Sequence, residues 1–359
     1  MKLPDHGANP HRLYEAAGVE QPSQFFDFSE NVHPFGPPQF INRDWQKLLP
    51  LISRYPDPEA EPFRSAAANF HHVMAKQVAA GNGAAEIFTW LARRYREKRV
   101  VLIEPAFSEY RKTLQAENVE INKVHMTAKS AWNLPMDELV RAIHGSSALY
   151  ICNPHNPTGS LIQKEELISL AKACEKAGCE LVVDEAFIDF AGEQFSVIPY
   201  VNDFSNLIVV RSMTKMYAIP GLRLGYVIST EQVVDELKKG AAQWNVNALS
   251  AAIGSRCFEE SAYREQIQHA AGKERKRMER FLKQNGCEAT DSAANFLSFR
   301  LPNRLDSDEF FEGMLKEGFV LRHTYSFEGM DGNWFRIGMK SEFQMEALRE
   351  VMTKWLKEK

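Results

Sequence analysis

Four short apolar runs in this sequence lead into side chains that could take part in chemistry. The runs cover residues 99–107, 148–154, 179–187 and 206–212. The groups that close or follow them are the ring of Phe107, the amide of Asn156, the carboxylate of Asp184, the hydroxyls of Ser212 and Thr214, and the amine of Lys215. If the runs are parallel strands, their carboxyl ends meet at one sheet edge, where open α/β proteins bind ligands. We therefore expect these groups to form one site.

The chemical types in this group suit a flat molecule that carries an aldehyde and a positive charge. The amine of Lys215 can form a Schiff base with an aldehyde. A carboxylate at the end of an apolar strand, such as that of Asp184, is costly to bury unless a cation lies beside it. A protonated ring nitrogen would be such a cation, and the ring of Phe107 offers a flat surface for stacking.

A phosphate site is predicted beside these groups. The stretch GNGAAEIFTWLARRY (81–95) places two glycines before an amphipathic helix, and N–H groups at a helix start bind phosphate, although a plain tight turn explains the glycines equally well. Arg223 could clamp the phosphate through two hydrogen bonds, with Ser212 and Thr214 beside it. Phosphate, ring cation, flat ring and aldehyde together describe pyridoxal 5′-phosphate. Since no strand is predicted before GNGAAE, a dinucleotide-binding fingerprint is not expected.

The elements that must position these groups alternate between apolar strands and amphipathic helices. One such helix is predicted over 163–178, with Gly178 as its cap. This alternation indicates an α/β fold with a mostly parallel, doubly wound sheet. After about residue 230 the pattern changes to helices over 231–244 and 261–286, short strands, and a final helix over 343–359. We divide the chain into an N-terminal arm (1–45) that forms part of the small domain, a large domain (46–245) and a small α+β domain (246–359).

Composition excludes several classes of function. The formal charge of −4 and the pI of about 6.2 give no basic footprint for nucleic acid. No run has the roughly 18 apolar residues of a membrane span, and the N-terminus lacks the apolar core of a secretion signal. The five cysteines have no metal-ligand spacing, so we expect reduced thiols, a cytoplasmic protein, and no metal.

Three blocks of the sequence resemble the fold-type I aminotransferase-like family of pyridoxal-phosphate enzymes over nearly the full chain. The blocks are NPHNPTG (153–159), VVDEAFIDF (182–190) and RSMTKMYAIPGLRLGY (211–226). The resemblance implies that Lys215 forms the Schiff base with the cofactor. It further implies that Asp184 keeps the ring nitrogen protonated, that Asn156 bonds the ring 3′-oxygen, and that Phe107 stacks on the ring. The phosphate would be bound by Gly83, Ala84, Ser212, Thr214 and Arg223.

Two further residues take roles from the same resemblance. Tyr55, in RYPDP (54–58), resembles a tyrosine that dimeric members lend to the neighbouring subunit's cofactor phosphate. A homodimer is therefore implied. Arg336, in WFRIG (334–338), resembles the arginine that clamps the substrate α-carboxylate.

The N-terminal arm is similar to the opening of L-threonine O-3-phosphate decarboxylases of cobalamin synthesis. The similar segments are HGANPHRLYEAAG (6–18) and FFDFSENVHPFGPP (25–38), although Ala8, Glu30, His33 and His155 depart from the pattern. A phosphorylated amino acid needs a second anion site, and the candidate side chains are His6, Asn9, Asn31, Arg322 and His323. Phe187 stands where many relatives carry a tyrosine that bonds the ring oxygen.

The resemblance thus implies decarboxylation of L-threonine O-3-phosphate to (R)-1-aminopropan-2-yl phosphate. An aminotransferase, such as one acting on histidinol phosphate, is the alternative. A non-catalytic regulator that binds the cofactor is a remote third alternative. Such regulators carry a DNA-binding domain ahead of this fold, whereas here the N-terminal arm leads directly into the enzyme pattern and the charge is not basic.

Overall fold

The computed structural model describes residues 3–330 and 332–358. The strands are β1 (Phe26–Asp27), β2 (Val78–Asn82), β3 (Arg99–Glu104), β4 (Glu120–His125), β5 (Ala148–Cys152), β6 (Glu180–Asp184), β7 (Leu207–Ser212), β8 (Leu224–Ile228), β9 (Glu288–Ala289), β10 (Phe296–Arg300), β11 (Phe319–Val320), β12 (Arg322–His323) and β13 (Trp334–Gly338). The α-helices are α1 (Pro10–Ala17), α2 (Phe40–Arg43), α3 (Trp45–Leu48), α4 (Phe63–His71), α5 (Ala84–Arg94), α6 (Ser108–Ala116), α7 (Met136–Ala142), α8 (Lys164–Ala177), α9 (Ile188–Ala191), α10 (Glu231–Lys238), α11 (Ala248–Cys257), α12 (Ser261–Gln284), α13 (Ser307–Lys316) and α14 (Glu342–Glu358).

A seven-stranded sheet carries the predicted site. Its order is β2-β8-β7-β6-β5-β3-β4. The five strands from β7 to β4 are parallel to one another, whereas β8 is antiparallel to both of its neighbours. The predicted α/β fold with a mostly parallel sheet is confirmed. Because β3, β5, β6 and β7 are the four predicted apolar runs, their carboxyl ends do meet at one edge.

The prediction that no strand precedes GNGAAE was wrong. Strand β2 ends at Asn82, directly before this stretch, and consists of one valine followed by alanine, glycine and asparagine. Apart from Val78, these residues lack the β-branched and aromatic side chains that mark strands in a sequence, so pairing with β8 determines the strand. Strand β2 nevertheless joins the sheet in antiparallel fashion, unlike the first strand of a dinucleotide-binding βαβ unit.

The helices of the large domain follow the predicted pattern with two differences. Helix α8 ends against Gly178, whose φ of 67° forms the expected left-handed cap. The helix predicted over 231–244 ends at Lys238, because the chain turns at Gly240. Helix α11 was not predicted; its N-cap is Asn247, whose side chain accepts a hydrogen bond from the Ser250 N–H.

The small domain has its own core around a four-stranded antiparallel sheet in the order β12-β13-β10-β9. The N-terminal arm packs on this core through Leu13, Tyr14 and Phe28, and β1 pairs with β11. Helix α11 and the first half of α12 pack instead into the core of the large domain. The division at residue 245 stays a prediction, and this packing favours a boundary within α12.

Neither a membrane span nor a disulfide is found in the part of the chain that the structure describes. None of its helices is both long and apolar enough to cross a bilayer. All five cysteines are buried and free. No group of three or more potential metal-binding side chains occurs among residues 3–330 and 332–358.

Candidate active site

A cavity of about 330 Å³ opens at the carboxyl edge of the large sheet, where the small domain and the N-terminal arm close over it. Most of the predicted site residues line it: His6, Asn31, Ala84, Phe107, Asn156, Asp184, Ser212, Thr214, Lys215, Arg223, Arg322 and Arg336. The structure therefore brings together groups that lie up to 330 positions apart in the sequence.

Lys215 follows the end of β7 and projects its amine into the cavity. Burial and, to a smaller extent, the positive charge of Arg336 lower the pKa of Lys215 to about 8. An amine needs its neutral form to attack an aldehyde, so a lowered pKa makes this lysine a better nucleophile near neutral pH.

Asp184 ends β6 at the floor of the cavity and is buried. One carboxylate oxygen accepts a hydrogen bond from the Ala186 N–H at 3.0 Å, and the other accepts one from the hydroxyl of Tyr110. Burial raises the pKa of Asp184 to about 6, despite these two donors. A cation beside this carboxylate would stabilise its charged form, as a protonated ring nitrogen does.

The phosphate end of the cavity is shaped by glycine. Gly83 has φ of 75° and precedes α5, and a Cβ atom there would lie 2.5 Å from a terminal nitrogen of Arg223. A Cβ on Gly225 would lie 2.5 Å from the backbone nitrogen of Ala84. The side chain of Arg223 can therefore lie across the start of α5, whose first N–H groups have no partner within the helix. Arg223, Ser212, Thr214 and these N–H groups match the donors that a phosphate requires.

Two buried arginines of the small domain face the opposite side of the cavity. Arg336 donates to the Asn156 side-chain oxygen at 2.6 Å and to the Ser29 carbonyl at 3.0 Å, while its buried Nε has no hydrogen-bond partner among the described residues. Arg322 donates to the Ser326 hydroxyl at 2.6 Å and to the Asp5 carbonyl. Within the described ranges, no carboxylate forms an ion pair with either arginine.

Both arginines have pKa values below the ordinary value of a guanidinium. Burial lowers the pKa of Arg336 to about 9, and the neighbouring charge of Arg322 acts in the same direction. Burial also lowers the pKa of Arg322 to about 10. Buried charges are normally paired, because desolvation of an unpaired charge is costly. A ligand with negative groups at both positions would supply the missing partners.

Asn156 connects this anion side to the cofactor side. Because its oxygen already accepts from Arg336, its NH₂ group remains to donate to another acceptor. A ring oxygen such as the one predicted to contact Asn156 would be a suitable acceptor.

The N-terminal arm covers the cavity. Asp5, His6, Gly7 and Ala8 line it. The ring of His6 lies 5.7 Å from that of Phe107, and its Nε2 hydrogen-bonds Glu109 at 2.9 Å. The arm therefore contacts both domains around the opening.

The remaining predicted residues lie outside the cavity or at its border. Asn9 and His323 line a separate small cavity beside it, and His323 contacts Arg322. Phe187 lines the main cavity and packs edge-on against Phe296. Tyr55 is 83% exposed and contacts Trp244, with ring centroids 4.8 Å apart, so within one chain it does not reach the site.

Sequence reasoning missed the groups that support the site from behind. Tyr110, on α6, donates a hydrogen bond to Asp184. The signal in the sequence that could have indicated it is its position three residues after Phe107. Arg211 is buried next to Ser212 and pairs with Glu185 at 3.1 Å, with Asp189 at 3.2 Å, and with Glu193. These ion pairs tie the ends of β6 and β7 together beneath the cavity.

Comparison with known proteins agrees with this geometry. A family model described as "Aminotransferase class I and II" matches residues 23–354. The chain is 32% identical over 355 residues to a threonine-phosphate decarboxylase of Salmonella typhimurium, covering 97% of this chain and 96% of the relative. It is 27% identical over 345 residues to a histidinol-phosphate aminotransferase of Caldanaerobacter subterraneus, covering 93% and 95%.

The solved structures show the same fold. The histidinol-phosphate aminotransferase from Clostridium acetobutylicum superimposes with a TM-score of 0.87 and 26% identity, covering 92% of this chain and 99% of that one. The predicted family, the type I fold of pyridoxal-phosphate enzymes and the cofactor are confirmed. The chain belongs to the class I and II aminotransferase family, and its cofactor is pyridoxal 5′-phosphate.

Proposed function

We propose that this protein is a homodimeric lyase that decarboxylates L-threonine O-3-phosphate to (R)-1-aminopropan-2-yl phosphate, a step of cobalamin synthesis. The observation that carries the proposal is the pair of buried arginines, Arg322 and Arg336, which face one cavity without carboxylate partners among the described residues. Threonine phosphate presents a carboxylate and a phosphate in one small molecule. The similarity to the decarboxylase of Salmonella typhimurium over 97% of the chain supports this choice.

An aminotransferase for histidinol phosphate is the second candidate, favoured by the similarity to enzymes of that name. Histidinol phosphate has a phosphate but no carboxylate, so it would neutralise only one of the two arginines. The partner substrate of a transaminase, a dicarboxylic acid, would use both sites at a different stage.

In the proposed site the two arginines divide the recognition of the substrate. Arg336 would bind the α-carboxylate, because it lines the cavity and has no ion-pair partner among the described residues. Arg322 would bind the phosphate, with His6 and Asn31 as further donors at the same opening. Bidentate guanidinium contacts favour both anions over neutral groups.

The chain's other residues would orient the cofactor and move the proton. Lys215 would hold the cofactor, with Asp184, Phe107 and Asn156 at its ring. Gly83, Ala84, Ser212, Thr214 and Arg223 would bind its phosphate. When bound, the cofactor supplies an acceptor for the electron pair of the broken bond.

Proton transfer is the task that remains for a protein side chain. Once carbon dioxide has left, Cα must gain a proton. Lys215, with its pKa near 8, can hold and release that proton close to neutral pH. The arm and the ring of Phe107 would keep bulk water from this step.

The proposed dimer rests on exposed apolar side chains, most of them in the large domain. They include Tyr55, Ile52, Leu49, Trp45 and Trp244, which are exposed in the single chain. Such patches on soluble proteins mark interaction sites.

We expect sedimentation equilibrium of the holoenzyme to give the mass of two chains, and the mass of one chain would contradict the dimer. The free, buried cysteines suit the cytoplasmic location included in the proposal.

Replacing the proposed cofactor lysine tests the central assignment. We expect Lys215→Ala to abolish the visible absorption that borohydride reduces, because no other amine would link the cofactor covalently. Lys340→Ala is the matched control, since Lys340 is buried nearby but bonds Glu30 and the Val32 carbonyl. We expect Lys340→Ala to keep the reducible absorption. If Lys215→Ala also keeps it, the role of Lys215 is refuted.

A single assay separates the two reactions. The holoenzyme is incubated with L-threonine O-3-phosphate in the absence of any keto-acid acceptor, and released carbon dioxide is measured. We expect one molecule of carbon dioxide to be released for each molecule of L-threonine O-3-phosphate consumed. No release, combined with turnover of histidinol phosphate once 2-oxoglutarate is added, would favour the aminotransferase.

The two arginines are expected to have separable effects. Arg322→Ala should raise the KM for L-threonine O-3-phosphate by about a hundredfold, the cost of losing a charge-assisted contact, with little effect on binding of unphosphorylated L-threonine. Arg336→Ala should weaken the binding of both compounds, since both have the carboxylate. Equal losses for the two compounds in Arg322→Ala would refute its role as the phosphate site.

A further inference from the structure

A turn of the small domain, residues 325–330, reaches across to the large domain beside the cavity. Its Glu328 carboxylate accepts a hydrogen bond from the Lys123 amine at 2.7 Å. It also lies 3.3 Å from Arg111 and 3.3 Å from the His125 ring. Lys123 and His125 belong to β4, whereas Arg111 belongs to α6. One carboxylate thus joins two elements of the large domain to the 325–330 turn.

Arg111 is held from its other side by the large domain itself. A terminal nitrogen lies 3.7 Å from Oε1 of Glu104, a fully buried carboxylate at the end of β3. That oxygen has no hydrogen-bond partner among the described residues, so Arg111 is its nearest compensating charge. Arg111 also donates to the Ser326 carbonyl at 3.4 Å. The position of this guanidinium is therefore fixed by the sheet, and the turn docks onto it.

The same turn contacts both arginines of the cavity. The Ser326 hydroxyl accepts a hydrogen bond from Arg322 at 2.6 Å. The Phe327 ring lies 5.2 Å from the guanidinium of Arg322 and 6.0 Å from that of Arg336, and it lines the cavity. A movement of the turn would thus move two of the groups that contact Arg322.

We propose that Glu328 is a positioning residue: its ion pairs with Arg111 and Lys123 hold the 325–330 turn so that Arg322 faces the phosphate group of the substrate. This inference rests on the proposed function in one respect, namely that the substrate is phosphorylated. Glu328 itself does not line the cavity, so it acts through Ser326 and Phe327. A carboxylate shared by several cations is worth more than an isolated surface pair, although it is partly exposed.

The test compares Glu328→Gln with the wild-type holoenzyme. Binding of L-threonine O-3-phosphate, L-threonine and inorganic phosphate is followed through the absorption of the bound cofactor. We expect the affinities for threonine phosphate and inorganic phosphate to fall by about three- to tenfold, the range of one weakened charge contact, while that for L-threonine stays unchanged. In steady state, the KM for the phosphorylated substrate should rise with little change in kcat.

Two variants show whether the effect belongs to this carboxylate. Glu328→Asp keeps the charge and should recover part of the lost affinity for inorganic phosphate. Glu279→Gln removes the same charge from a helical pair with Lys283 in α12 and should leave all three affinities unchanged.

The failures of the two proposals give different results. Equal weakening of phosphorylated and unphosphorylated ligands in Glu328→Gln, or no weakening, would overturn the positioning role. A wild-type enzyme that does not prefer the phosphorylated ligand would overturn it as well. Absence of carbon dioxide release, with the phosphate preference and its loss in Glu328→Gln intact, would overturn only the proposed reaction.

Discussion

The cost of burying charge without a partner is the constraint on which the site depends. At one side of the cavity the Asp184 carboxylate accepts two hydrogen bonds, and burial raises its pKa to about 6 although the charge of Lys215 acts in the opposite direction. At the other side, Arg322 and Arg336 have pKa values lowered by burial. These groups do not neutralise each other across the cavity. Because an unpaired buried charge is costly, a ligand with groups of opposite charge would stabilise the charged forms of all three side chains.

The charged groups beneath the cavity differ from those that line it, because they have partners of opposite charge within the protein. Arg211 is as deeply buried as Arg322 and Arg336, yet three carboxylates surround it. Two of these, Glu185 and Asp189, share the same block as Asp184, and Arg211 immediately precedes Ser212. Paired ions therefore support the strand ends, whereas unpaired ions face the cavity. Buried charges that line a cavity and lack a protein partner are candidates for ligand binding, which is why the proposal gives Arg322 and Arg336 that role.

Whether a feature of the fold or of the site could be predicted depends on how far apart its interacting residues lie along the chain. The strands β3, β5, β6 and β7 are continuous apolar runs, so they and the residues that follow them, such as Asp184 and Lys215, were evident locally. Strand β2 was missed because pairing with β8, and not its own composition, makes it a strand. Tyr110 and the turn around Glu328 were missed for a related reason: their contacts join positions 74 and 205 residues apart. Contacts between residues so far apart in the sequence leave no periodic signal in it.

The interactions that join the two domains differ on the two sides of the cavity. On one side, buried hydroxyls of the small domain donate to backbone carbonyls in the NPHNPTG block: Ser298 to Pro157 at 2.7 Å, and Thr290 to Thr158 at 2.6 Å. On the other side, the contacts are part-exposed ones between polar side chains, such as the ion pair of Glu328 with Lys123 and the hydrogen bond between His6 and Glu109. Buried neutral hydrogen bonds leave unsatisfied groups when broken, whereas exposed ions regain water. Separation of the domains on the ionic side therefore costs less, and that side is the one that carries Arg322 and the arm.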